Sequence, residues 1–338
     1  MQEQALRKVL LIQAIEETDR AGDALPLTER VEATRAALDS SPPAPETAAG
    51  VPLSGATELF LRKRADVLLD SLRARSPGVD RVLAVAGGAT SFDRGMLVFS
   101  AVLGVMLSFL DGGHGIHIFA PPLLALVAWN VLVYVLMSAR RKAQSTTVFG
   151  RVYARSARRR LDDFLAHSTH FNAPLAPGLR RFVADWWTIA QPLFALRARR
   201  LLHLSAAALA SGLVVGYYAR ALGLRSSAGW EGGHLVGPGT AHALLLALYG
   251  PASLLSGVAI PDTGEVASLR WSASAPYESA IGWAHLIAWT AVLYIVLPRL
   301  VIALLSTLRL WRLSRQLPPP SGVAGYARIT AFPPDARG

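Results

Sequence analysis

The chain has 338 residues, of which 52% are hydrophobic, 17% are charged and none is cysteine. Soluble domains carry about 25% charged residues, so this shortage, with the apolar residues clumped into runs, excludes a wholly soluble chain of ordinary make-up. The lack of cysteine excludes a disulfide framework, a thiolate nucleophile and any cysteine-ligated metal, and the net charge of +11 is placed, as shown below, where it speaks for lipid rather than nucleic acid.

In chain order, residues 1–93 predict a helical cytoplasmic region. Leu6, Val9, Leu10 and Ala14 give one helical face, and Val31, Thr34 and Leu38 a second. A Pro/Ala-rich linker over 40–54 has no core-forming pattern. An amphipathic helix follows over 56–75, with Leu59, Leu61, Val67, Leu68 and Leu72 interleaved with Arg62, Lys63, Arg64 and Asp66, and Pro77-Gly78 ends it. A transmembrane hairpin occupies 94–138, with spans at 95–110 and 118–137. Crossing the hydrocarbon core takes about 20 apolar residues, so the first span is short and draws on its flanks. Residues 139–200 predict a basic cytoplasmic helical hairpin that turns at Pro174 and Pro177. Its most basic point is Arg158, Arg159 and Arg160, and its second arm (Phe182, Trp186, Leu193) runs on through Pro192 into a third span at 201–219. Segment 220–280 lies on the far side of the membrane. Within it, 241–260 reads as a re-entrant or surface-lying hairpin broken at Gly250-Pro251, because its halves are too short to span alone. The fourth span covers 281–308. Beyond it, 309–338 reads as a basic amphipathic helix, carrying Arg309, Trp311, Arg312 and Arg315, and a disordered tail.

The fold class is therefore all-α: a polytopic membrane protein with four spans. Lysine and arginine counts orient it. Residues 138–200 carry 13 basic residues against three acids, residues 111–117 carry no basic residue, residues 220–280 carry three against four acids, and the stretch from Arg299 onward carries six against one acid. The basic segments belong to the cytoplasm, as do both termini. The excess positive charge sits beside membrane ends, where it attracts anionic headgroups at roughly 1 kcal/mol per side chain; nucleic acid is not a predicted partner.

Small residues let membrane helices approach closely. Ser100, Gly104 and Ser108 form one stripe and Ala208, Gly212 and Gly216 another, facing each other or facing copies of themselves in a homo-oligomer. Asn130 is placed to bond a neighbouring helix. Arg299 lies 18 residues past Ile281, about 27 Å along a helix, which predicts a headgroup contact at the inner interface; Arg158, Arg159, Arg160, Arg309 and Arg312 are the other candidates for headgroup or partner contact. His203 lies near the cytoplasmic start of the third span and His285 near the outer start of the fourth, so they fall at opposite faces of the membrane and share no site. His114, His117 and His234 are the candidate metal ligands, without a fixed carboxylate beside them. No phosphate-cradling loop, dinucleotide fingerprint, zinc-protease motif or nucleophile elbow is present, so no catalytic or cofactor-binding residue is assigned and no enzyme activity is expected.

Several segments together carry a resemblance: Leu6-Arg7, then Ile15-Glu16-Glu17, then Arg64-Ala65, then Asp93-Arg94-Gly95 opening the first span, then Trp129-Asn130, then the Trp-rich helix leading to the third span. In this order they resemble a family of uncharacterised bacterial inner-membrane proteins typically encoded beside a membrane-associated GTPase. The resemblance implies an inner-membrane location and a cytoplasmic GTPase as partner, and carries over no catalytic residues. The function expected is a non-enzymatic membrane scaffold or regulator that recruits that GTPase, with an oligomeric channel or small transporter as the alternative.

Overall fold

A computed structural model gives the architecture. It describes residues 1–40, 54–88, 91–111, 115–139, 148–167, 173–223, 227–231, 236–271, 279–317, 323 and 326. The elements in chain order are α1 (Glu3–Thr18), α2 (Leu27–Ser40), α3 (Gly55–Arg75), α4 (Gly78–Ala86), α5 (Ser91–Leu107), α6 (Pro121–Ala139), α7 (Val148–His167), α8 (Ala176–Gly223), α9 (Pro238–Ser256), α10 (Thr263–Ser268), α11 (Ala280–Ala291) and α12 (Leu297–Arg315). Strands β1 (Ile116–His117) and β2 (Ala228–Gly229) form a parallel pair. The helices divide between two compact units: residues 1–90, 146–198 and 307–338, and residues 91–145 and 199–306. The chain passes between the units inside α8 and again inside α12.

In the first unit α1 is buried nearly all round: Leu6, Val9, Leu11, Ile12 and Ile15 are all sealed from solvent. The single apolar face expected there understates it, because α3 packs along α1 and the start of α8 comes down on it as well. A Cβ added at Gly178 would lie 2.7 Å from Ile15 Cα, so only glycine permits that approach. On α2 the expected face is displaced. Val31 is exposed, while Ala33 and Ala37 are buried against α3 and the Thr34 hydroxyl accepts a bond from Arg64 Nε at 2.9 Å. On α3 the buried side is Phe60, Leu61, Ala65, Leu68 and Leu72, and Ser54 caps its N-terminus by accepting from the Thr57 amide. The stretch after Pro77-Gly78 forms a further helix, α4, which buries Val79, Val82, Leu83 and Ala86 and packs on α7. The indole of Trp186 on α8 donates to the Ala86 carbonyl at 3.0 Å.

Two ion pairs in this unit answer charges that burial would otherwise penalise. Arg64 forms a 2.7 Å ion pair with Glu16, and Arg30 a 2.8 Å pair with Asp19. Burial works against the Asp19 carboxylate, but three backbone amides (Leu25, Ala24, Asp23) and Arg30 outweigh it and hold the group below its ordinary value of 3.8. Residues after Arg315 contribute to the unit where they are described, two of them in the tail past the prolines 318–320 that is expected to be disordered. Leu317 and Met1 exchange main-chain hydrogen bonds, Val323 is buried, and the Tyr326 hydroxyl bonds both Glu16 and Arg64.

The second unit is apolar on its outside as well as its inside. Val98, Phe99, Met106 and Leu110 on one stretch, Trp129, Leu132 and Val135 on α6, and Leu300, Val301, Leu304 and Leu305 on α12 are all exposed, a surface that suits lipid and not water. Three helical stretches are long and apolar enough to cross a membrane, Phe92–Leu110, Ala176–Gly223 and Ala280–Arg315, and Pro121–Leu136 is apolar but shorter. The last of the three is helical without interruption, so the segment read as a separate amphipathic helix follows on from the apolar stretch with no break, and a π turn occupies Val292–Val296. Residues 238–256 also form one helix, not a hairpin. Proline inside a helix removes one hydrogen bond, and α9 recovers that cost by packing Ala241, Leu245, Tyr249 and Ala252 within the unit, largely along α11. Its end is set by Gly257, whose φ of +72° forms a left-handed cap.

The two small-residue stripes meet each other. A Cβ at Gly104 would collide with the Leu209 carbonyl, one at Gly212 with the Ala101 carbonyl, and one at Gly216 with the Ser108 hydroxyl. Ser100 and Ser108 are buried and Ala208 is half-buried beside the same seam. Filling this seam forces backbones apart, for which overpacking costs of about 1–3 kcal/mol are typical. Gly212→Leu is therefore expected to lower the unfolding midpoint of the purified protein in detergent, whereas Gly95→Leu, on the same α5 but with no atom within 4 Å of the added Cβ, leaves it unchanged; equal midpoints for the two would contradict the seam.

Candidate functional site

Four polar side chains of the second unit's apolar helices, Arg299, Asn130, His203 and Tyr134, gather at one place. Arg299, one residue past Pro298 on α12, is only 4% exposed. Its Nε donates to Asn130 Oδ1 on α6 at 2.6 Å, and its Nη1 is 3.0 Å from His203 Nδ1 on α8. The guanidinium also lies over the Tyr134 ring, 5.4 Å from the centroid. Among the described residues no carboxylate pairs with it.

Local chemistry sets each partner's role. Guanidinium only donates, so His203 Nδ1 is an acceptor and the ring carries its proton on Nε2. The Asn130 amide nitrogen donates to the Leu126 carbonyl at 2.7 Å, which turns the amide oxygen toward Arg299. Pro298 has no N–H to close an α turn onto the Tyr294 carbonyl; that carbonyl accepts from the Tyr134 hydroxyl at 3.3 Å instead. Side chains on neighbouring helices are the usual way a proline in an apolar helix has its freed backbone satisfied. The π turn and Pro298 thus place the arginine, and α6 and α8 receive it.

The headgroup contact expected of Arg299 is corrected by this geometry. Distance along its own helix puts the residue at an interface, but Asn130, nine residues into α6, His203 and Tyr134 supply inward partners, and a bonded arginine has no need to reach for phosphate. Asn130 does bond a neighbouring helix. His285 is apart from the cluster and bonds Tyr218 at 2.6 Å, so the two histidines do not meet. The cluster has neither a nucleophile beside a base nor a carboxylate. What it can do chemically is hold a fixed positive charge on neutral acceptors and tie α6, α8 and α12 together.

The other predicted sites are dispersed. His114 and His234 lie outside the described residues. His117 packs edge-on against Trp271, with centroids 5.4 Å apart, its Nδ1 accepts from the Phe119 amide at 3.3 Å, and burial lowers its pKa; no group of three metal-binding side chains occurs among the described residues. Arg158 and Arg159 are exposed on α7, Arg158 beside Asp162 at 3.6 Å, and Arg160 is half-buried and bonds the Ser156 carbonyl. With Arg151 and Arg155, also exposed, they make a basic stripe opposite the buried Tyr153, Ala157 and Leu161. Arg309 and Arg312 are exposed on the last turns of α12. Arg220, at first sight only a flank of the third span, is buried and donates to the Ser108 and Gly115 carbonyls. No family model, curated protein or solved structure matches this chain.

Interhelical hydrogen bonds within membranes couple by about 0.6 kcal/mol on average and up to about 1.7, and the charge on Arg299 places this pair at the upper end. A double-mutant cycle of Asn130→Ala and Arg299→Leu, read by unfolding of the full chain in mixed micelles, is expected to give a coupling of about 1–2 kcal/mol. A coupling of zero would contradict the clamp.

Proposed function

We propose that this chain is a non-enzymatic integral protein of the bacterial inner membrane that crosses four times, keeps both termini in the cytoplasm, and holds there a folded helical unit that recruits a cytoplasmic GTPase. One observation carries the reading: the first unit is assembled from three separate stretches of chain, with two apolar insertions between them. Stretches that pack into one body must lie on one side of a bilayer. Each insertion then crosses an even number of times. For 91–145 this supports crossing by both α5 and the shorter α6. For 199–306 it supports crossing by the end of α8 and by α11–α12, with α9 remaining on the far side.

The basic bias of 138–200 and of the stretch from Arg299 onward favours the cytoplasm for that common side. Within the unit, the exposed arginine stripe on α7 is a surface suited to an acidic partner. The GTPase as that partner is what the family resemblance implies. The channel alternative loses its main support, since the small-residue stripes it would use between copies are filled within one chain.

Purification of the full chain in mild detergent from cells that also contain the GTPase is expected to recover both, and Arg155→Glu with Arg159→Glu to lose the GTPase while the chain stays folded. Recovery of this protein alone, with the GTPase present in the same cells, would contradict the proposal.

A further inference from the structure

The first unit contains an open cleft of about 300 Å³ lined by Glu3, Gln4 and Arg7 from α1, Arg197 from α8, and Ser314 and Arg315 from α12. Three guanidiniums face one carboxylate there. Glu3 is already committed, because both its oxygens accept from Arg197 Nη2 at 2.7 and 2.8 Å. Arg7 Nε stands 3.8 Å from Glu3, beyond hydrogen-bond reach, while Arg7 Nη1 donates to the Leu83 carbonyl. Arg7 Nε and Arg197 Nη1 are both buried without a hydrogen-bond partner among the described residues. Buried, unanswered guanidinium donors are costly and normally find acceptors. The Arg7 guanidinium is held below its ordinary pKa, first by burial and then by the neighbouring Arg197, in spite of Glu3.

We infer that this cleft is a binding site for a phosphate monoester, with Arg7, Arg197 and Arg315 as its cationic frame and Gln4 and Ser314 as neutral donors. A dianion offsets the excess of two positive charges, and arginine forks suit phosphate oxygens. The phosphate can be that of an anionic lipid headgroup or of a soluble compound. The position of Arg315 favours the lipid: it lies seven residues past Leu308, the last residue of the apolar run, about 10 Å along the helix. It also stacks on the half-exposed Trp311 ring at 4.0 Å, and such aromatic–cationic pairs are common at headgroup depth. The inference stands apart from recruitment of a GTPase and does not need it.

The test uses the full chain and two substitutions at exposed positions, Gln4→Glu and Arg315→Gln, with Arg158→Gln on the separate α7 stripe as control. Inorganic phosphate is titrated by calorimetry into protein in a zwitterionic detergent. In parallel, protein taken from vesicles of phosphatidylcholine with phosphatidic acid is read for retained lipid by native mass spectrometry. Gln4→Glu and Arg315→Gln are each expected to weaken binding about ten-fold or more, the size of a lost charged hydrogen bond, with unchanged circular dichroism, and Arg158→Gln to bind as the parent does. Retention of phosphatidic acid lost in both variants assigns the site to a headgroup; phosphate binding lost in both without lipid retention assigns it to a soluble monoester. Binding of neither probe by the parent, or losses as large for Arg158→Gln as for the cleft variants, would overturn the inference.

Discussion

In the topology we propose, the three stretches that fold together as the first unit lie on one face of a membrane, and this imposes a parity on everything between them. Each apolar insertion has to leave and return, so helices are used in pairs. Under that proposal α6 has a reason to cross although its apolar stretch, Pro121–Leu136, is shorter than the three long ones, and α9 has a reason not to. Helices α8 and α12 each run between apolar and polar sequence without a break, and each carries the chain from one unit to the other.

Inside the bilayer the hydrophobic effect does not distinguish helix from lipid, so close packing and a few polar bonds decide which helices meet. Both devices are present and they act on different pairs. The glycine seam brings α5 onto α8 by removing side chains at Gly104, Gly212 and Gly216. The arginine cluster brings α6 and α12 onto α8 by adding a polar group that only Asn130 and His203 can satisfy. Helix α8 is common to both, which makes it the axis of the second unit, while its first half supplies Trp186, Phe182 and Phe194 to the core of the first.

Much of this was legible in the sequence where the signal is local. The stripes of small residues lie at a four-residue spacing on single helices, and Phe182, Trp186 and Leu193 run in helical register into the third span with only Pro192 between. Helix α4 was legible in principle: Val79, Val82, Leu83 and Ala86 have an amphipathic spacing between two glycine-containing breaks, but nine residues are easily read as a linker. What could not be read depends on neighbours distant in sequence. Depth along its own helix places Arg299 at an interface; only α6 and α8 reveal that it turns inward. Gly250-Pro251 looks like a break until α11 is seen to hold both halves of α9 in line. The cleft between Arg7, Arg197 and Arg315 has no sequence signature, since it joins the start of α1 to the middle of α8 and the end of α12.

The central claim is that the first unit is a single cytoplasmic body built from all three stretches. The chain contains no cysteine, so single cysteines at the exposed positions Arg20, Arg159, Arg312 and Glu231 can be probed with a membrane-impermeant maleimide in right-side-out and inverted vesicles. Labelling of the first three only in inverted vesicles, and of Glu231 only in right-side-out vesicles, is the result predicted. Labelling of any of the first three from the opposite side to the others, or of Glu231 from the same side as them, would contradict it.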